Sequence, residues 1–379
     1  MTRLHVAAMP FPSVQGTQAA VRMMMDAEHD AGLEPELLTY AHGGFDLSVP
    51  WTHHRMRDLV RDRSLRSGPS WRKIAQDAQL VVELRRVHGR SRPQVVIAHH
   101  VEAAAAAQLA RCADRVFFAH TALQAELPTY LDGLVAKVGG RAGEALDIAL
   151  ARGASSVAAI SPWLADHLQA AAGREVRWVP VPWPVPPPID ADERAKARAR
   201  FGLGAIEPVV LYAGNLDAYQ GVDVMAEAYL SVRERRPDAR LLVATESDPE
   251  PIEKRLWPTG AASEVVFASL VDEPDRRAVH AACDVAWVPR RTEGGLPMKL
   301  LDALSRGAPT VVVRRATAGL DLGDVATVVA DDDPQALAAG ALLAFEGRGV
   351  ARARGTRARA WMADVFSPDA YLSAMTALV

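Results

Sequence analysis

The sequence has 379 residues, of which 49% are hydrophobic and 23% are charged, and its formal net charge is -3 at pH 7. This length exceeds the size at which one hydrophobic core keeps growing, so two domains are expected, and the composition excludes a disordered chain. The small net charge gives no overall attraction to nucleic acid, and Cys112 and Cys283 lack a partner motif, which favours a reducing compartment such as the cytoplasm.

Short apolar runs alternate with longer helical patterns along most of the chain, which is typical of parallel sheets flanked by helices. The predicted strands of the first half are 4–9, 36–40, 94–99, 115–119, 156–160 and 176–180. Those of the second half are 209–213, 240–245, 265–268, 284–288, 310–313 and 325–329. The expected fold is therefore α/β, with two Rossmann-like doubly wound domains facing each other across a cleft. No stretch reaches about 18 uncharged apolar residues, so no membrane-spanning helix is expected.

The segment 51–73 combines basic and aromatic residues. Its basic residues are Arg55, Arg57, Arg61, Arg63, Arg66, Arg72 and Lys73, and its large apolar residues are Trp51, Met56, Leu59, Val60, Leu65 and Trp71. Such a segment suits contact with an anionic membrane surface or with an anionic acceptor substrate. The alternative is a solvated arginine-rich excursion over the domain. Nucleic acid is not expected, because no recognised binding module accompanies the charge.

Four histidines form two adjacent pairs, His53 with His54 and His99 with His100. Neighbouring residues at the end of a strand point to opposite faces, and no carboxylate or cysteine cluster accompanies these pairs. No metal site is therefore expected.

Prolines crowd the segment 179–188, where they remove hydrogen-bond donors and fix φ. This segment is predicted to be a semi-rigid linker, although a ligand for a polyproline-binding module is an alternative. The predicted domains are a first Rossmann-like domain over 1–183 and a second over 184–355. A terminal helical segment, 356–379, is expected to pack on the first domain through residues such as Trp361 and Tyr371.

The stretch from Glu293 to Asp302 reads Glu-Gly-Gly-Leu-Pro-Met-Lys-Leu-Leu-Asp and lies between two predicted strands. Gly294, Gly295 and the start of a helix predict a phosphate cradle, because free backbone N–H groups and a helix N-terminus face an anion there. Asp302 lies about one turn after Lys299 on the same helix face. A nucleotide sugar fits such a pair, with Lys299 on the diphosphate and Asp302 on the ribose. The alternative is a surface ion pair that stabilises the fold by less than about 1 kcal/mol.

Two further groups of residues follow predicted strands of the second half. Gly214 and Asn215 come after 209–213, where a glycine lets the backbone approach phosphates, although an ordinary turn is the alternative. Arg290 or Arg291 follows 284–288 and would supply a second cation, unless the two form a solvated surface pair.

Several stretches together carry a resemblance to a known family. They are 10–17, 99–100, 118–121, 158–162, 210–216, 219–223, 282–289, 293–302 and 303–312. In order and spacing they resemble the family 4 glycosyltransferases, over nearly the whole chain. The resemblance implies the two-Rossmann-domain GT-B architecture and a retaining transfer of sugar from a nucleotide-diphosphate donor without a metal or other cofactor. It implies a glycan, lipid-linked or small-molecule acceptor, with 1–183 as the acceptor-binding domain and 184–355 as the nucleotide-sugar-binding domain.

The same resemblance implies roles for individual residues. Gly16 would meet the leaving diphosphate and the acceptor, His120 would lie near the transferred sugar, and Glu293 would face that sugar's hydroxyls. For His120 the alternative is a buried histidine bonded to the backbone. Lys299 is the main expected partner of the diphosphate, because a cation about 4 Å from a phosphate oxygen contributes roughly 4 kcal/mol and a neutral amide about 1.

Two positions depart from the usual family pattern. Gln220 stands before Gly221 where the family usually has a basic residue, and Asp302 follows Glu293 at one residue more than the common spacing. Together with the Gln-Gly and Pro-x-Lys sub-pattern, they indicate a variant enzyme. A nucleotide-sugar epimerase of this fold and a catalytically silent binding protein are the alternatives. The expected location is the cytoplasm, either free or peripheral at the inner face of the membrane.

Overall fold

The computed structural model of the chain describes residues 2–13, 16–45, 47–61, 71–130 and 133–379, with backbone alone at 129, 130 and 133–135. Two compact units share these residues. Unit 1 comprises Met1–Pro182, Gly294–Leu296 and Phe366–Val379, and unit 2 comprises Trp183–Glu293 and Pro297–Val365. Each unit contains one parallel sheet, so the predicted fold class is confirmed.

The sheet of unit 1 has seven strands, in the order β3-β2-β1-β4-β5-β6-β7. They are β1 (Thr2–Ala7), β2 (Glu34–Thr39), β3 (Thr52–Arg55), β4 (Val95–His99), β5 (Arg115–Ala119), β6 (Ser156–Ala159) and β7 (Arg177–Trp178). Its helices are α1 (Gly16–Asp30), α2 (Trp71–Ser91), α3 (His100–Leu109), α4 (Leu123–Glu126), α5 (Gly133–Gly153) and α6 (Pro162–Ala172). The strand order changes direction between β1 and β4, which places the ends of β1, β4 and β5 side by side at the switch point.

The sheet of unit 2 has six strands, in the order β10-β9-β8-β11-β12-β13. They are β8 (Val209–Ala213), β9 (Arg240–Ala244), β10 (Val265–Ala268), β11 (Val285–Val288), β12 (Thr310–Val313) and β13 (Thr327–Val329). The helices are α7 (Ala191–Arg200), α8 (Val222–Arg235), α9 (Glu250–Leu256), α10 (Glu273–Ala282), α11 (Met298–Ser305), α12 (Pro334–Glu346) and α13 (Arg348–Val365). Here the switch point lies between β8 and β11, so the residues that follow these two strands are neighbours.

All twelve predicted strands are present, and four of them, 115–119, 209–213, 265–268 and 310–313, have the predicted ends. The others differ by one or two residues at one or both ends. Asp284, for example, lies just before β11, and its carboxylate accepts from the Val209 amide (3.0 Å) and from Arg194 (2.6 Å). Buried, continuous apolar runs such as Val285–Val288 are what a sheet covered on both faces requires.

Strand β3 was not predicted, and it lies inside the basic segment 51–73. Its sequence, Thr-His-His-Arg, has no apolar alternation, and it pairs only with β2 at the edge of the sheet. Trp51 and Met56, which flank it, are buried, and the Trp51 indole donates to Asp26 (2.8 Å), so the prediction that these two residues belong to a surface was wrong. Leu59 and Trp71 are exposed. Residues 62–70, with Arg63, Leu65 and Arg66, lie outside the described residues.

The end of the chain belongs to unit 1. Its helix α14 (Pro368–Thr376) carries Tyr371, whose hydroxyl donates to Glu28 on α1 (2.9 Å), and the Ser156 hydroxyl donates to the Leu378 carbonyl (2.8 Å). The predicted terminal segment 356–379 also includes the end of α13, which belongs to unit 2. None of the helices that the structure describes is both long and apolar enough to cross a membrane.

Candidate active site

Lys299 lies in the first turn of α11, and its ammonium contacts only neutral hydrogen-bond partners among the described residues. Its Nζ donates to the Tyr212 hydroxyl (2.7 Å) and to the Gln220 amide oxygen (2.8 Å). The ammonium also lies 4.1 Å from the centre of the Tyr212 ring. Burial, and then the nearby Arg290, hold the pKa of Lys299 well below its usual range. A bound anion would favour the charged form of this lysine, which has no carboxylate partner of its own in the described part of the chain.

The backbone at the end of β8 leaves room for the Lys299 side chain. Gly214 has a φ of 144°, and a Cβ there would lie 3.0 Å from both Cε and Nζ of Lys299. Only glycine combines this conformation with so close an approach. The structure therefore brings together Gly214 and Lys299, two of the predicted diphosphate residues.

Gln220 connects Lys299 to the loop after β8. Its amide nitrogen donates to the Asn215 side-chain oxygen (2.6 Å), while its own oxygen accepts from Lys299. Asn215 in turn donates to Asp217 (2.8 Å). The next residue, Gly221, has a φ of 71°, and a Cβ there would lie 2.1 Å from the Pro289 carbonyl oxygen. This glycine fixes the position of Gln220 beside the end of β11.

The two arginines after β11 have different surroundings. Arg291 pairs with Asp223 (2.8 Å) and Asp332 (2.9 Å), so its charge is already compensated. Arg290 donates to the Thr292 hydroxyl (3.0 Å), and its guanidinium lies 5.6 Å from the centre of the Tyr219 ring. Arg290 also lies close enough to Lys299 to lower the pKa of that lysine, so it is the arginine that could act with Lys299 on an anion.

Asp302 is buried on α11 and has its own set of partners. Arg306 donates to it (2.8 Å), and Arg276 lies 3.5 Å away. Burial raises the pKa of Asp302, but His280, Arg306 and Arg276 outweigh burial and hold that pKa below its usual range. Lys299 and Asp302 share no partner among the described residues, and the ribose role of Asp302 stays a prediction.

The glycine pair before α11 belongs to unit 1, although Glu293 and Pro297 on either side belong to unit 2. Gly294, with a φ of 96°, accepts from the Ala122 amide (2.9 Å), and Gly295 forms an antiparallel bridge with Thr121. Glu293 is exposed. The predicted roles of Gly294 and Gly295 at phosphate, and of Glu293 at the sugar, remain predictions.

In unit 1, His120 is buried directly after β5 and bonded to a second histidine. Its Nε2 lies 2.8 Å from Nδ1 of His99, and the His100 ring stacks on it at 4.7 Å between centroids. Gly16 begins α1, and the next residue, Thr17, lies 3.3 Å from His100 Nε2. Burial, followed by the effect of His100, holds the pKa of His120 well below its usual range, so this ring is neutral.

The sequence reading missed three residues behind His120: His5, Glu28 and His99 as a bonded set. A signal was present, because His5 is a lone polar residue within the apolar run of β1. Ala7 pairs with His99, and His99 pairs with Phe118. Since side chains alternate, His5, His99 and His120 share one face once the strand order is known. The described residues contain no group of three or more His, Cys, Asp or Glu side chains arranged to hold a metal ion.

Comparisons with known proteins agree with this architecture. Residues 15–184 match the family model "Glycosyl transferase 4-like domain", and residues 207–346 match "Glycosyl transferases group 1". Comparison with curated proteins gives no match.

Several solved structures share the fold at low sequence identity. Sucrose-phosphate synthase from Thermosynechococcus elongatus is 18% identical, with a TM-score of 0.82 over 100% of this chain and 98% of that one. Anabaena HepE in complex with UDP and glucose is 16% identical, with a TM-score of 0.77 over 100% of this chain and 99% of that one. WaaG, a glycosyltransferase involved in lipopolysaccharide biosynthesis, is 17% identical, with a TM-score of 0.72 over 99% of each chain.

Proposed function

The chain belongs to the glycosyltransferases, with a 4-like domain followed by a group 1 domain, and we propose that it is a retaining, metal-independent enzyme that uses a nucleotide-diphosphate sugar. The proposed acceptor is a glycan, a lipid-linked sugar or a small molecule. The single observation that carries the donor class is Lys299, a partly buried cation whose hydrogen-bond partners in the described residues are all neutral.

Transfer from such a donor requires the sugar–phosphate bond to break, and negative charge then develops on the diphosphate. A lysine about 4 Å from a phosphate oxygen lowers the energy of that charge by roughly 4 kcal/mol at an effective dielectric constant near 20. Lys299 and Arg290 are the proposed source of this stabilisation, with the backbone at Gly214 close to the phosphates. Because these groups supply the positive charge, the proposal needs no metal ion.

The proposed role of His120 is to bind a hydroxyl group of a sugar substrate. It is neutral, buried and stacked against His100, and so it is suited to a directional hydrogen bond. The segment 51–73 is the proposed contact with an anionic membrane surface, through its exposed residues Arg57, Leu59, Arg61 and Trp71.

The test is a donor screen with the full chain. UDP-, GDP- and ADP-sugars are incubated with an acceptor mixture, with and without EDTA, and release of nucleotide diphosphate and the anomer of the product are measured. UDP-sugars come first, because a protein with the same fold was solved with UDP and glucose.

We expect that EDTA does not reduce the release of nucleotide diphosphate and that the product keeps the anomeric configuration of the donor. An inverted product would contradict retention, and loss of activity in EDTA would contradict metal independence. Recovery of an isomerised donor without transfer would favour an epimerase. No reaction with any donor would favour a silent binding protein.

A further inference from the structure

A cavity of about 230 Å³ lies in unit 1, between helix α1 and the loops that follow β1 and β2. Residues 11–13 form one wall, one face of α1 from Gln18 to Asp26 forms the second, and Phe45 and Leu47 form the third. We refer to it as the α1 cavity. An engineered protein cavity of about 150 Å³ binds benzene, so the α1 cavity has room for a single ring or for two fused rings.

Hydrogen bonds between the two loops hold the walls of the α1 cavity in place. The Phe11 amide donates to the His42 carbonyl (3.1 Å), and the Gly44 amide donates to the Pro12 carbonyl (2.7 Å). A Cβ at Gly43 would lie 2.5 Å from the Phe11 carbonyl oxygen, so only glycine allows the loops to approach this closely. The cavity is therefore formed before a ligand binds, which spares the cost of ordering its walls on binding.

The α1 cavity lies at the edge of the sheet where open α/β sheets bind their ligands. Its two loops follow the carboxyl ends of the parallel strands β1 and β2, and α1 follows the first of these loops. Ligands of such sheets occupy the crevice outside these carboxyl ends. Thr17, one residue before Gln18 of the cavity wall, lies 3.3 Å from His100, which follows β4. The cavity therefore adjoins the switch point between β1 and β4.

Apolar side chains make up most of the lining of the α1 cavity, and two of them are aromatic. Phe11 is buried and held by neighbouring rings, with His53 at 5.3 Å and Trp51 at 6.0 Å between centroids. Phe45, on another wall, is 45% exposed. Met23 lies on the α1 wall, and its thioether makes favourable contacts with aromatic rings. These walls favour a planar aromatic ligand, because aromatic rings stack on one another.

The polar side chains on the α1 wall of the cavity already have partners. Asp26 accepts from the Trp51 indole through Oδ1 (2.8 Å), and Arg22 Nε lies 3.4 Å from its Oδ2. Gln18 donates to the Pro10 carbonyl (3.4 Å). A bare sugar would have to exchange its hydrogen bonds with water for bonds to groups that are already engaged, which disfavours its binding. An apolar ring loses no such hydrogen bonds.

Arg22 adds one polar contact to this apolar site. A guanidinium has five N–H donors, and the pair with Asp26 engages the Nε end of the group. This is the one ion pair of Arg22 in the part of the chain that the structure describes, and the arginine side chain is 46% exposed. Asp26 would repel an anion, so a neutral oxygen on the ligand suits the remaining N–H groups of Arg22 better than a full negative charge does.

We infer that the α1 cavity binds an aromatic ring of the acceptor, stacked on Phe11 or Phe45, and that Arg22 donates a hydrogen bond to an oxygen on that ring. The inference rests on the proposed function for the identity of the ligand as the acceptor. Among the proposed acceptors it selects a small molecule with an aromatic ring over a glycan. Arg22 is then a specificity-determining residue, because a ring without the oxygen loses this contact.

Binding of the ring is measurable without any donor. The full chain is labelled with ¹³C-methyl methionine, and Met23→Leu and Met225→Leu assign the two signals that are followed. The probe is 2-naphthol. We expect a saturable shift of the methyl signal of Met23, which lines the cavity, and no shift for Met225 in the core of unit 2. The absence of a shift at Met23 would overturn the inference.

Substitutions in the lining test whether the ring lies in the α1 cavity. Ala19→Leu places extra atoms in the cavity and should weaken 2-naphthol binding by at least about tenfold, whereas the control Ala170→Leu, exposed on α6, should keep the affinity. If Ala19→Leu does not fold, Phe45→Ala replaces it, with an expected loss of about fivefold. Arg22→Met should weaken 2-naphthol binding by about fivefold and leave the affinity for naphthalene, which lacks the oxygen, unchanged. Wild-type affinity in the lining variants, or an equal loss for both probes in Arg22→Met, would contradict the inference.

Two comparison probes test the class of ligand. Methyl α-D-glucopyranoside represents a sugar and 1-octanol an acyl chain, and both should bind at least about tenfold more weakly than 2-naphthol. If either binds as tightly as 2-naphthol, the cavity is a sugar or lipid site and the inference is wrong. If no donor reacts, the proposed function fails while 2-naphthol binding stands. Sugar transfer to a glycan without binding of 2-naphthol would be the reverse, and the two failures are thus distinguishable.

Discussion

The ammonium of Lys299 donates a hydrogen bond to the amide oxygen of Gln220 at 2.8 Å. Gln220 stands where the family usually has a cation, and a cation there would repel Lys299. A neutral amide instead holds the lysine in place and leaves its charge uncompensated. The neutral side chain of Gln220 therefore has a structural role, because it holds the Lys299 ammonium in place without repelling it.

Removal of the Lys299 charge should weaken nucleotide binding. We expect Lys299→Met to lower the affinity for UDP or GDP by about tenfold or more, which corresponds to roughly 1.4 kcal/mol, as measured by titration calorimetry. Lys254→Met is the control, because Lys254 is exposed on α9 and pairs with Glu250. Equal affinities for Lys299→Met and the wild type would exclude Lys299 from the site.

Gly214→Ala should disturb the same site through the backbone. The new Cβ would lie 3.0 Å from Lys299 Nζ at a φ of 144°, so we expect a stability cost of about 1–3 kcal/mol and a drop in nucleotide affinity of roughly fivefold. Gly260→Ala is the control, with a φ of 73° and nothing within 4 Å of its Cβ. It should lose stability in thermal denaturation and keep its affinity. A Gly214→Ala protein with unchanged affinity would show that ligands do not approach this loop.

Asp302→Asn separates a ribose contact from a structural ion pair. Removing one member of a buried pair costs about 3–5 kcal/mol of stability, so a lower melting temperature is expected in either case. The informative quantity is the ratio of affinities for UDP and 2′-deoxy-UDP. If Asp302 accepts from the ribose, this ratio should fall toward one in Asp302→Asn. A ratio equal to that of the wild type would mean that Asp302 does not contact the ribose and serves only in its ion pairs with Arg306 and Arg276.

Asp147 should make stability depend on pH. Burial raises its pKa from 3.8 to about 7, so the folded protein keeps a proton that the unfolded chain releases. The contribution of this group is complete below pH 3.8 and is lost as the pH rises to about 7, by up to about 1.4 kcal/mol per pH unit. The melting temperature of Asp147→Asn, relative to the wild type, should therefore rise with pH across this window. A constant difference would mean that Asp147 titrates normally.

The segment 51–73 should bind anionic vesicles in a salt-dependent manner. Each arginine near such a surface adds about 1 kcal/mol, so charge reversal at Arg57 and Arg61 should reduce co-sedimentation with phosphatidylserine vesicles by at least about tenfold. Arg236→Glu on unit 2 is the control. If these charge reversals leave vesicle binding unchanged, the alternative is favoured, in which the segment 51–73 is a solvated arginine-rich excursion.

Sequence patterns were sufficient for the elements and for part of the site. Apolar runs such as Val209–Ala213 identify buried parallel strands, and the Pro-Met-Lys sequence located the first turn of α11 with Lys299 on it. Strand β3 was missed because an edge strand needs few apolar residues. Its flanking Trp51 and Met56, read as surface, proved to be core.

These sequence patterns did not predict contacts between distant parts of the chain. His5 and His99 are 94 positions apart, and their bond depends on β1 and β4 being neighbours. The partners of Asp302 depend in the same way on the position of α10, whose Arg276 lies 3.5 Å from Asp302. Local periodicity reports which face of an element is buried, but it does not report what that face meets.

The position of Tyr371 has a consequence for biosynthesis. Unit 1 contains both the first strand of the chain and the segment Phe366–Val379, and Tyr371 bonds to Glu28 across 343 positions. During translation the earlier part emerges long before its last helix, while domains tend to fold in order of emergence. The surface of α1 that Tyr371 contacts therefore stays exposed during synthesis until unit 2 has been made.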